Sequence, residues 1–504
     1  MSEGTVDSNT VDHSLLQEAG LSYRGKWHVK GNARRTLAFL NTSGPLLVEW
    51  GILNGLQHFG YDLSVERDNK SQYSVEGLTA SLARYGENRD LDSAYLSVLD
   101  EAMNRTLRAF GSKTPKFTAL PLDEGLLRYT HGEKSSGLPC LGKKRDSFLS
   151  DLGRAERIAV GERAPEPCVA FHRVQHGAEG PKTRLVWGYP QSMFLLEAQF
   201  APQLIEHFLG AFTPMAFGLF KSQVSARMQS IRNSGVRYSL DFSGFDSSLH
   251  PKLIDFAFRV LRSHFELNEE EAQTWTKVVN YFIHTPIMMP DQSVWVKHRG
   301  VPSGSYFTQM VDSIINYLAV TYSWLRATGF GVSDDHVLVL GDDSIVGHVT
   351  YFPVEKMASF FNELGLRLNF QKTGITTTGE DPHFLGHVWR RGYPDREERE
   401  IAIRMAFPEK PSGIKDQRTR QAIRMLGYMS DAVSSHRVLM KLAPDSGPWV
   451  NRSYMSYLTA THGIQEVPGS LRPNWSAFLE ELGTADPISS GSLALLGPWV
   501  GLYF

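Results

Sequence analysis

A chain of 504 residues with 41% hydrophobic and 21% charged residues is globular in composition, large enough for two to four ordinary domains or one multi-lobed enzyme, and not intrinsically disordered. Its 52 Lys and Arg against 54 Asp and Glu give a formal net charge of −2, which excludes a protein that coats nucleic acid by bulk positive charge and leaves only a local basic channel for that role. Cys140 and Cys168, with no Cys-x-x-Cys pair, offer neither a disulfide framework nor a zinc site and fit a reducing compartment. The polar, acidic N-terminus lacks the apolar core of a secretory signal, no apolar run approaches a membrane span, and no repeat suggests a solenoid.

In chain order, a polar tail to about residue 14 precedes a segment in which Arg24, Lys26, Lys30, Arg34 and Arg35 alternate with aromatics, either a solvated loop or a phosphate contact. Residues 45–130 have mainly helical apolar spacing and suggest a supporting lobe. Ser135-Ser136-Gly137-Leu138-Pro139, followed by Lys143, Lys144 and Arg145, reads as a compact turn with a basic tail able to guide a template backbone. Arg173, Lys182 and Arg184 surround a Gly-Pro turn. Lys182 and Arg184 would share one side of an extended segment and could clamp a triphosphate; an exposed charged hairpin is the alternative.

Val236–Leu240 is β-prone and ends at Asp241, while the segment from Pro251 has helical periodicity with Pro at a first-turn position. Val301-Pro-Ser-Gly-Ser305 begins with turn chemistry and opens a helix. A small-residue loop there lets backbone approach a nucleotide, Ser303 can donate to a ribose hydroxyl, and Thr308, Asp312 and Asn316 share a helix face. Two apolar runs, Val337–Leu340 and Ser344–His348, flank Gly341-Asp342-Asp343 and predict a tight hairpin with carboxylates at its tip. Val354–Leu364 is a helix stopped by Gly365, followed by a predicted strand at Leu366–Phe370 and a turn at Lys372–Gly374. The order of strand, helix, hairpin, helix and strand matches a split βαβ sheet.

A Gly-Asp-Asp triplet alone arises by chance in roughly one chain in ten of this length, and each Asp could simply cap a turn. Order and local structure carry the weight. Asp241 and Asp342, with Asp343 beside them, would stand at the ends of neighbouring strands. Mg²⁺ takes hard oxygen ligands and keeps waters and phosphates in its shell, so two or three such carboxylates suffice for it.

These segments resemble the RNA-dependent RNA polymerases of small double-stranded RNA viruses, of the picobirnavirus and partitivirus groups. The resemblance runs from about residue 135 to 390. It places Asp241 and Asp246 on motif A, Ser303, Gly304 and Thr308 on motif B, Gly341-Asp342-Asp343 on motif C, and Lys372 where motif D holds a lysine that protonates pyrophosphate. Arg173, Lys182 and Arg184 resemble motif F, Ser136-Gly137-Leu138-Pro139 motif G, and His383–Trp389 motif E beside the primer strand. Asp312 stands where positive-strand enzymes carry Asn.

The resemblance implies an α+β right-hand fold of fingers, palm and thumb with an antiparallel palm sheet. Its expected divisions are an N-terminal segment bridging fingers and thumb (1–70), fingers (71–215), palm with motif A (216–260), a fingers insertion (261–300), palm with motifs B to E (301–395), and thumb (396–504). It also implies two Mg²⁺ ions, with Mn²⁺ able to substitute. The implied partners are an RNA template and product duplex, ribonucleoside triphosphates and a viral capsid protein, and the implied location is the virion interior and host cytoplasm. Arg418, Arg420 and Arg424 are candidate contacts to the product duplex, with surface solvation the alternative. The apolar stretch 492–504 is expected to pack on the thumb or plug the product cleft. Two rival readings are a reverse transcriptase, which carries an aromatic gate where Asp246 stands, and a non-catalytic RNA-binding or shell protein, which has no need of the full acidic set. No P-loop suggests a helicase.

Overall fold

The computed structural model describes residues 10–408, except 32, 34–46, 59, 64–65, 67–68, 70–72, 88–89, 125–133, 174–183 and 220, together with Asp431 and Ala432. Arg34, Arg35, Lys182, Arg418, Arg420, Arg424 and the stretch 492–504 lie outside the described residues. The first part supplies α1 (His13–Glu18), β1 (Ser22–Lys26), α2 (Trp50–His58), α3 (Val75–Ala83) and α4 (Leu96–Phe110). Next come α5 (Lys144–Ala159), β2 (Cys168–Arg173), β3 (Arg184–Gly188), α6 (Gln191–Ala198), α7 (Ala201–Gly210) and α8 (Lys221–Arg232). The central part holds β4 (Val236–Leu240), α9 (Phe245–Ser248), α10 (Pro251–Arg262), α11 (Glu269–Ile283), β5 (Pro286–Met288), β6 (Ser293–Val296) and α12 (Thr308–Thr328). The last part runs through β7 (Val337–Leu340), β8 (Asp343–His348), α13 (Val354–Asn362), β9 (Gly374–Thr377), β10 (His383–Phe384), β11 (His387–Arg390), β12 (Tyr393–Asp395) and α14 (Glu398–Ala406).

The strands β7, β8, β4 and β9 form one antiparallel sheet in that order, the split βαβ arrangement expected from the sequence. Both of its faces are covered, and the strand period of two sorts the side chains between them. Val337 and Val339 of β7, with Val236, Tyr238 and Leu240 of β4, join the main core, which also contains α10, α12 and α13. Leu338, Leu340 and Ile345 join a second core with α8 and the β10–β11 hairpin. Two polar residues of β4 occupy the alternate positions. Ser239 Oγ accepts from the His383 N–H at 3.1 Å, and Arg237, only 1% exposed, donates to the carbonyls of Arg232, Ser234, Thr377 and Glu380. Those acceptors are what allow a guanidinium to be buried there.

The strand predicted at Leu366–Phe370 does not form. Gly365, at φ +77°, ends the turn after α13; Leu366 and Leu368 turn into the core, and only Leu368 makes a bridge, to Phe242. The apolar alternation there anchors the chain beside Asp241. The ladder with β4 is made after the Lys372 turn, by Gly374–Thr377.

A second sheet, ordered β1-β6-β5-β2-β3, is antiparallel except between β2 and β5, and so unites residues 22–26 and 286–296 with the 168–188 hairpin. Pro214–Ala216 pair alongside β7, so the edge of the first sheet begins before residue 216. Glu49, Tyr61, Asp62 and Glu66 lie against α14. The Glu49 N–H donates to Ala406 O at 2.9 Å, Tyr61 OH to Glu398 at 2.9 Å, and Arg399 to Asp62 O and Glu66 at 3.0 and 2.8 Å. No helix among the described residues is long and apolar enough to cross a membrane.

Candidate active site

Asp241 leaves β4 directly after Leu240, whose partner in β8 is Ser344, so Asp241 and Asp343 end adjacent strands. The connection from β7 to β8 is shorter than expected: Leu340 pairs with Asp343, leaving Gly341 and Asp342 as the turn and making Asp343 the first strand residue. The backbone of Asp241 is fixed on its other side by the Lys372 turn. Its N–H donates to Thr373 Oγ1 at 3.2 Å, and its carbonyl accepts from Asn369 N–H at 2.8 Å. Lys372 is exposed in that turn, one residue from Thr373.

The acidic side chains act on one another. Burial and then the charge of Asp342 push the Asp246 carboxyl up to about 7, and burial followed by Asp342 and Asp241 pushes Asp343 up to about 8. Asp342 is raised by burial and by Asp241, and Asp312 by burial, Asp246 and Asp342. Asp342 is exposed at the tip of the hairpin. Arg184, at the start of β3, lowers both Asp246 and Asp342 and so faces the same cleft. Five carboxylates with too little positive charge among them suit a multivalent cation with oxygen ligands. Among the described residues, no three acidic, Cys or His side chains already converge on one point at ligand distance.

The helix α12 buttresses the Gly341 turn. The Gly341 N–H donates to Ser313 Oγ at 2.9 Å, and Asn316 Nδ2 donates to Gly341 O at 3.0 Å. Gly341 sits at φ +62°, where a side chain is strained, and a Cβ there would lie 2.9 Å from Gln309 Nε2. Asn316, expected on a face with Thr308 and Asp312, therefore supports the hairpin. Asp312 is 4% exposed, and its Oδ1 is buried without a hydrogen-bond partner.

Ser303, expected to offer its hydroxyl to a ribose, accepts at Oγ from the Trp187 N–H at 3.2 Å, while Gly304 is exposed. Thr308 donates to Pro302 O at 2.6 Å and closes the loop onto its helix. Lys297, fully buried, donates to the carbonyls of Phe282, Ile283 and Gly300 and fixes the approach to Val301. The N–H of Val301 donates to Asp246 O at 2.8 Å, which joins the two segments.

Arg173 and Arg184 are paired directly across β2 and β3. The turn at 135–139 departs from its expected role as a template guide at several positions. Ser136 is 1% exposed, and a Cβ at Gly137 would lie 2.5 Å from Tyr189 O, so both pack against the Tyr189–Gln191 segment. Lys144 is 8% exposed, with Nζ 3.4 Å from the Phe194 ring centroid, because it begins a helix that faces α6. Ser135, Pro139, Lys143 and Arg145 remain accessible.

Sequence reasoning missed several supports. Tyr85 is buried beside the site, its hydroxyl accepting from Trp187 Nε1 at 3.3 Å and its proton held more tightly by burial and by the charges of Asp246 and Asp312. Glu197 holds the Ser305 side of the loop. A lone acid in the apolar run SMFLLEAQF was the available signal for Glu197; Tyr85 had none, since an aromatic at helical spacing reads as core.

Comparison with known proteins places this arrangement. The RNA-directed RNA polymerase of Cryptosporidium parvum virus 1 (strain KSU-1) is 34% identical over 231 residues, 42% of this chain and 42% of that protein. The genome polyprotein of Plum pox potyvirus (strain El amar) is 27% identical over 268 residues, 49% of this chain and 17% of the polyprotein. The chain thus spans less than half the length of these relatives. The crystal structure of the RNA-dependent RNA polymerase of a human picobirnavirus superposes with a TM-score of 0.67 at 14% identity, covering 97% of this chain and 98% of that one, which establishes the right-hand polymerase fold. A family model described as viral RNA-dependent RNA polymerase matches residues 170–439, more than half of the chain and every segment carrying the clustered carboxylates, and the chain belongs to that family.

Proposed function

We propose that the chain is an RNA-directed RNA polymerase that replicates and transcribes a double-stranded RNA genome. The observation that carries the reading is the placement of Asp241, Asp342 and Asp343 at the neighbouring ends of β4, β7 and β8, each acting on the next, with Arg184 facing them from the other sheet. Two Mg²⁺ ions held by these carboxylates, or Mn²⁺ in their place, would supply the charge that stabilises the attacking and leaving oxygens of nucleotidyl transfer. Arg184, with Arg173 and Lys182, binds the triphosphate, for which a planar guanidinium offers bidentate contacts. Asp246, Ser303, Gly304, Thr308 and Asp312 surround the ribose, and Lys372 supplies a proton to the departing pyrophosphate.

Pro139 and Lys143 touch the template, with Ser136, Gly137 and Lys144 holding their segment in place. The contacts of Glu49, Tyr61, Asp62 and Glu66 with α14 support an N-terminal segment that bridges fingers and thumb, and the 286–296 strands support assigning 261–300 to the fingers. RNA template and product, ribonucleoside triphosphates and a capsid protein are the partners of this reading, with the virion interior and host cytoplasm as its location.

The test is extension of a primed RNA template with ribonucleotides in Mg²⁺. Asp342→Asn keeps the side chain's shape and removes its charge. Extension should fall about a thousandfold, since metal-held charge contributes several kcal/mol to such a transition state. Because Asp342 is raised by burial and by Asp241, the amide should also raise the melting temperature in EDTA at pH 8. Near wild-type extension by the variant would defeat the assignment.

A further inference from the structure

The helix α6 is buried along its whole length and carries one ionisable side chain, Glu197, at 0% exposure. A carboxyl in such a place is costly unless donors converge on it. Three do. Tyr189 OH donates to Oε1 at 2.6 Å, the Ser305 hydroxyl donates to Oε1 at 2.8 Å, and the Tyr306 N–H donates to Oε2 at 2.8 Å. Two of the three belong to the loop between β6 and α12, in the residues immediately after Ser303 and Gly304.

The same short segment is held again. Ser305 Oγ accepts from the Phe307 N–H at 3.0 Å at the start of α12, and the Tyr306 ring stacks on Phe194 of α6 with centroids 4.0 Å apart. At the other end, Trp187 of β3 donates to Ser303 Oγ. The loop is thus suspended between β3 and α6, and the Glu197 carboxyl fastens its α6 side. A buried acid is poor evidence of stabilisation, since apolar replacements of buried charges are often neutral or better. An acid enclosed in an otherwise apolar turn of helix calls for another role.

We infer that Glu197 is a positioning residue for nucleotide selection, setting through Ser305 and Tyr306 where Ser303 and Gly304 meet the ribose. The inference rests on the reading of that loop as a nucleotide contact. Burial pushes the Glu197 carboxyl up to about 7 against the pull of Tyr189, Tyr306, Ser305 and Lys144, so the donors do not fully offset its enclosure.

The experiment compares Glu197→Gln, Ser303→Ala and the double variant in single-nucleotide incorporation on a primed RNA template in Mg²⁺, with ribo- and deoxynucleotides, alongside thermal melting. Glutamine preserves volume, and its oxygen can still accept from Tyr189 and Ser305, but its NH₂ group then faces the Tyr306 N–H and the loop must shift. Loss of one such hydrogen bond predicts about a tenfold rise in nucleotide KM and about a tenfold fall in the ribo-to-deoxy preference, with a smaller change in kcat. The double variant should be little worse than Ser303→Ala, since the two act as one unit. A folded Glu197→Gln with wild-type KM and preference, or one that loses only kcat or melting temperature, overturns the inference. If Ser303→Ala itself leaves both parameters unchanged, the reading of the loop fails, and this inference fails with it. Should Glu197→Gln not fold, Ser305→Ala cuts the same link from the loop side and must give the same KM and preference changes.

Discussion

Gly341→Ala tests how firmly the acidic turn is held. At φ +62° an alanine costs roughly 1–2 kcal/mol relative to glycine. Its Cβ would meet Gln309 Nε2 at 2.9 Å, but that atom ends a flexible side chain and has no hydrogen-bond partner, so it can withdraw without losing a bond. The alternative is for the turn to relax to negative φ. That would break the bonds to Ser313 and from Asn316, leaving buried groups unpaired at about 1–3 kcal/mol each. Two such losses exceed the strain, so the turn should keep its geometry. The expected result in urea unfolding is a loss of about 1–2 kcal/mol, with template extension reduced by no more than about tenfold. Asn316→Leu, which frees Gly341 O, should instead reduce extension by about a hundredfold, as misplacing a reacting group by about 1 Å can. A Gly341→Ala protein of unchanged stability, or one inactive while Asn316→Leu is active, would refute the reasoning.

Asp246→Ala should slow ribonucleotide incorporation and narrow the ribo-to-deoxy ratio by about tenfold to a hundredfold, because a site built for a 2′-hydroxyl loses both the contact and the unpaired group. An unmoved ratio with measurable activity would assign Asp246 to the fold alone. The Glu197 carboxyl, raised from 4.5 to about 7, holds its proton in the folded state over a range where the unfolded chain has released it. Stability should therefore fall as pH rises from about 4.5 to 7, by on the order of 3 kcal/mol, and level off above. Glu197→Gln should flatten that segment of the curve, and an identical slope in the variant would contradict the assignment. Asp431 accepts from Lys221 Nζ at 3.3 Å, His387 Nε2 at 3.0 Å and Arg396 Nε at 2.7 Å, all buried. Asp431→Ala should cost roughly 3–5 kcal/mol in thermal melting by removing the counter-charge that buried Lys221 and Arg396 share, and a loss below about 1 kcal/mol would show the network to be incidental.

Asp241, Asp342 and Asp343 were legible in the sequence because they interrupt apolar strands at their ends, where a carboxylate has no packing role to confuse the reading. The 337–348 hairpin and the helix from Pro251 were legible for the same reason: a strong period with punctuation on either side. The strand at 366–370 was misplaced because alternation reports which side chains turn inward and is silent on whether a neighbouring ladder exists. Leu366 and Leu368 do turn inward, but Ser243 and Asn369 use backbone bonds there to fix the exit from β4.

Adjacent residues of one charge show the remaining limit. Lys143 is exposed and Lys144 buried against Phe194, and nothing in a Lys-Lys pair distinguishes them until α5 is laid on α6. Ser313 was hidden for a related reason, and Asn316, read onto the face of Thr308 and Asp312, was given the wrong neighbour. The purpose of both depends on the Gly341 turn, which lies a strand and a loop away in the chain and opposite them in space. Residues that would face substrate must break the local pattern to be useful. Those that hold them in place need only match whatever the fold brings opposite, so a single sequence reveals the first kind by position and leaves the second to the structure.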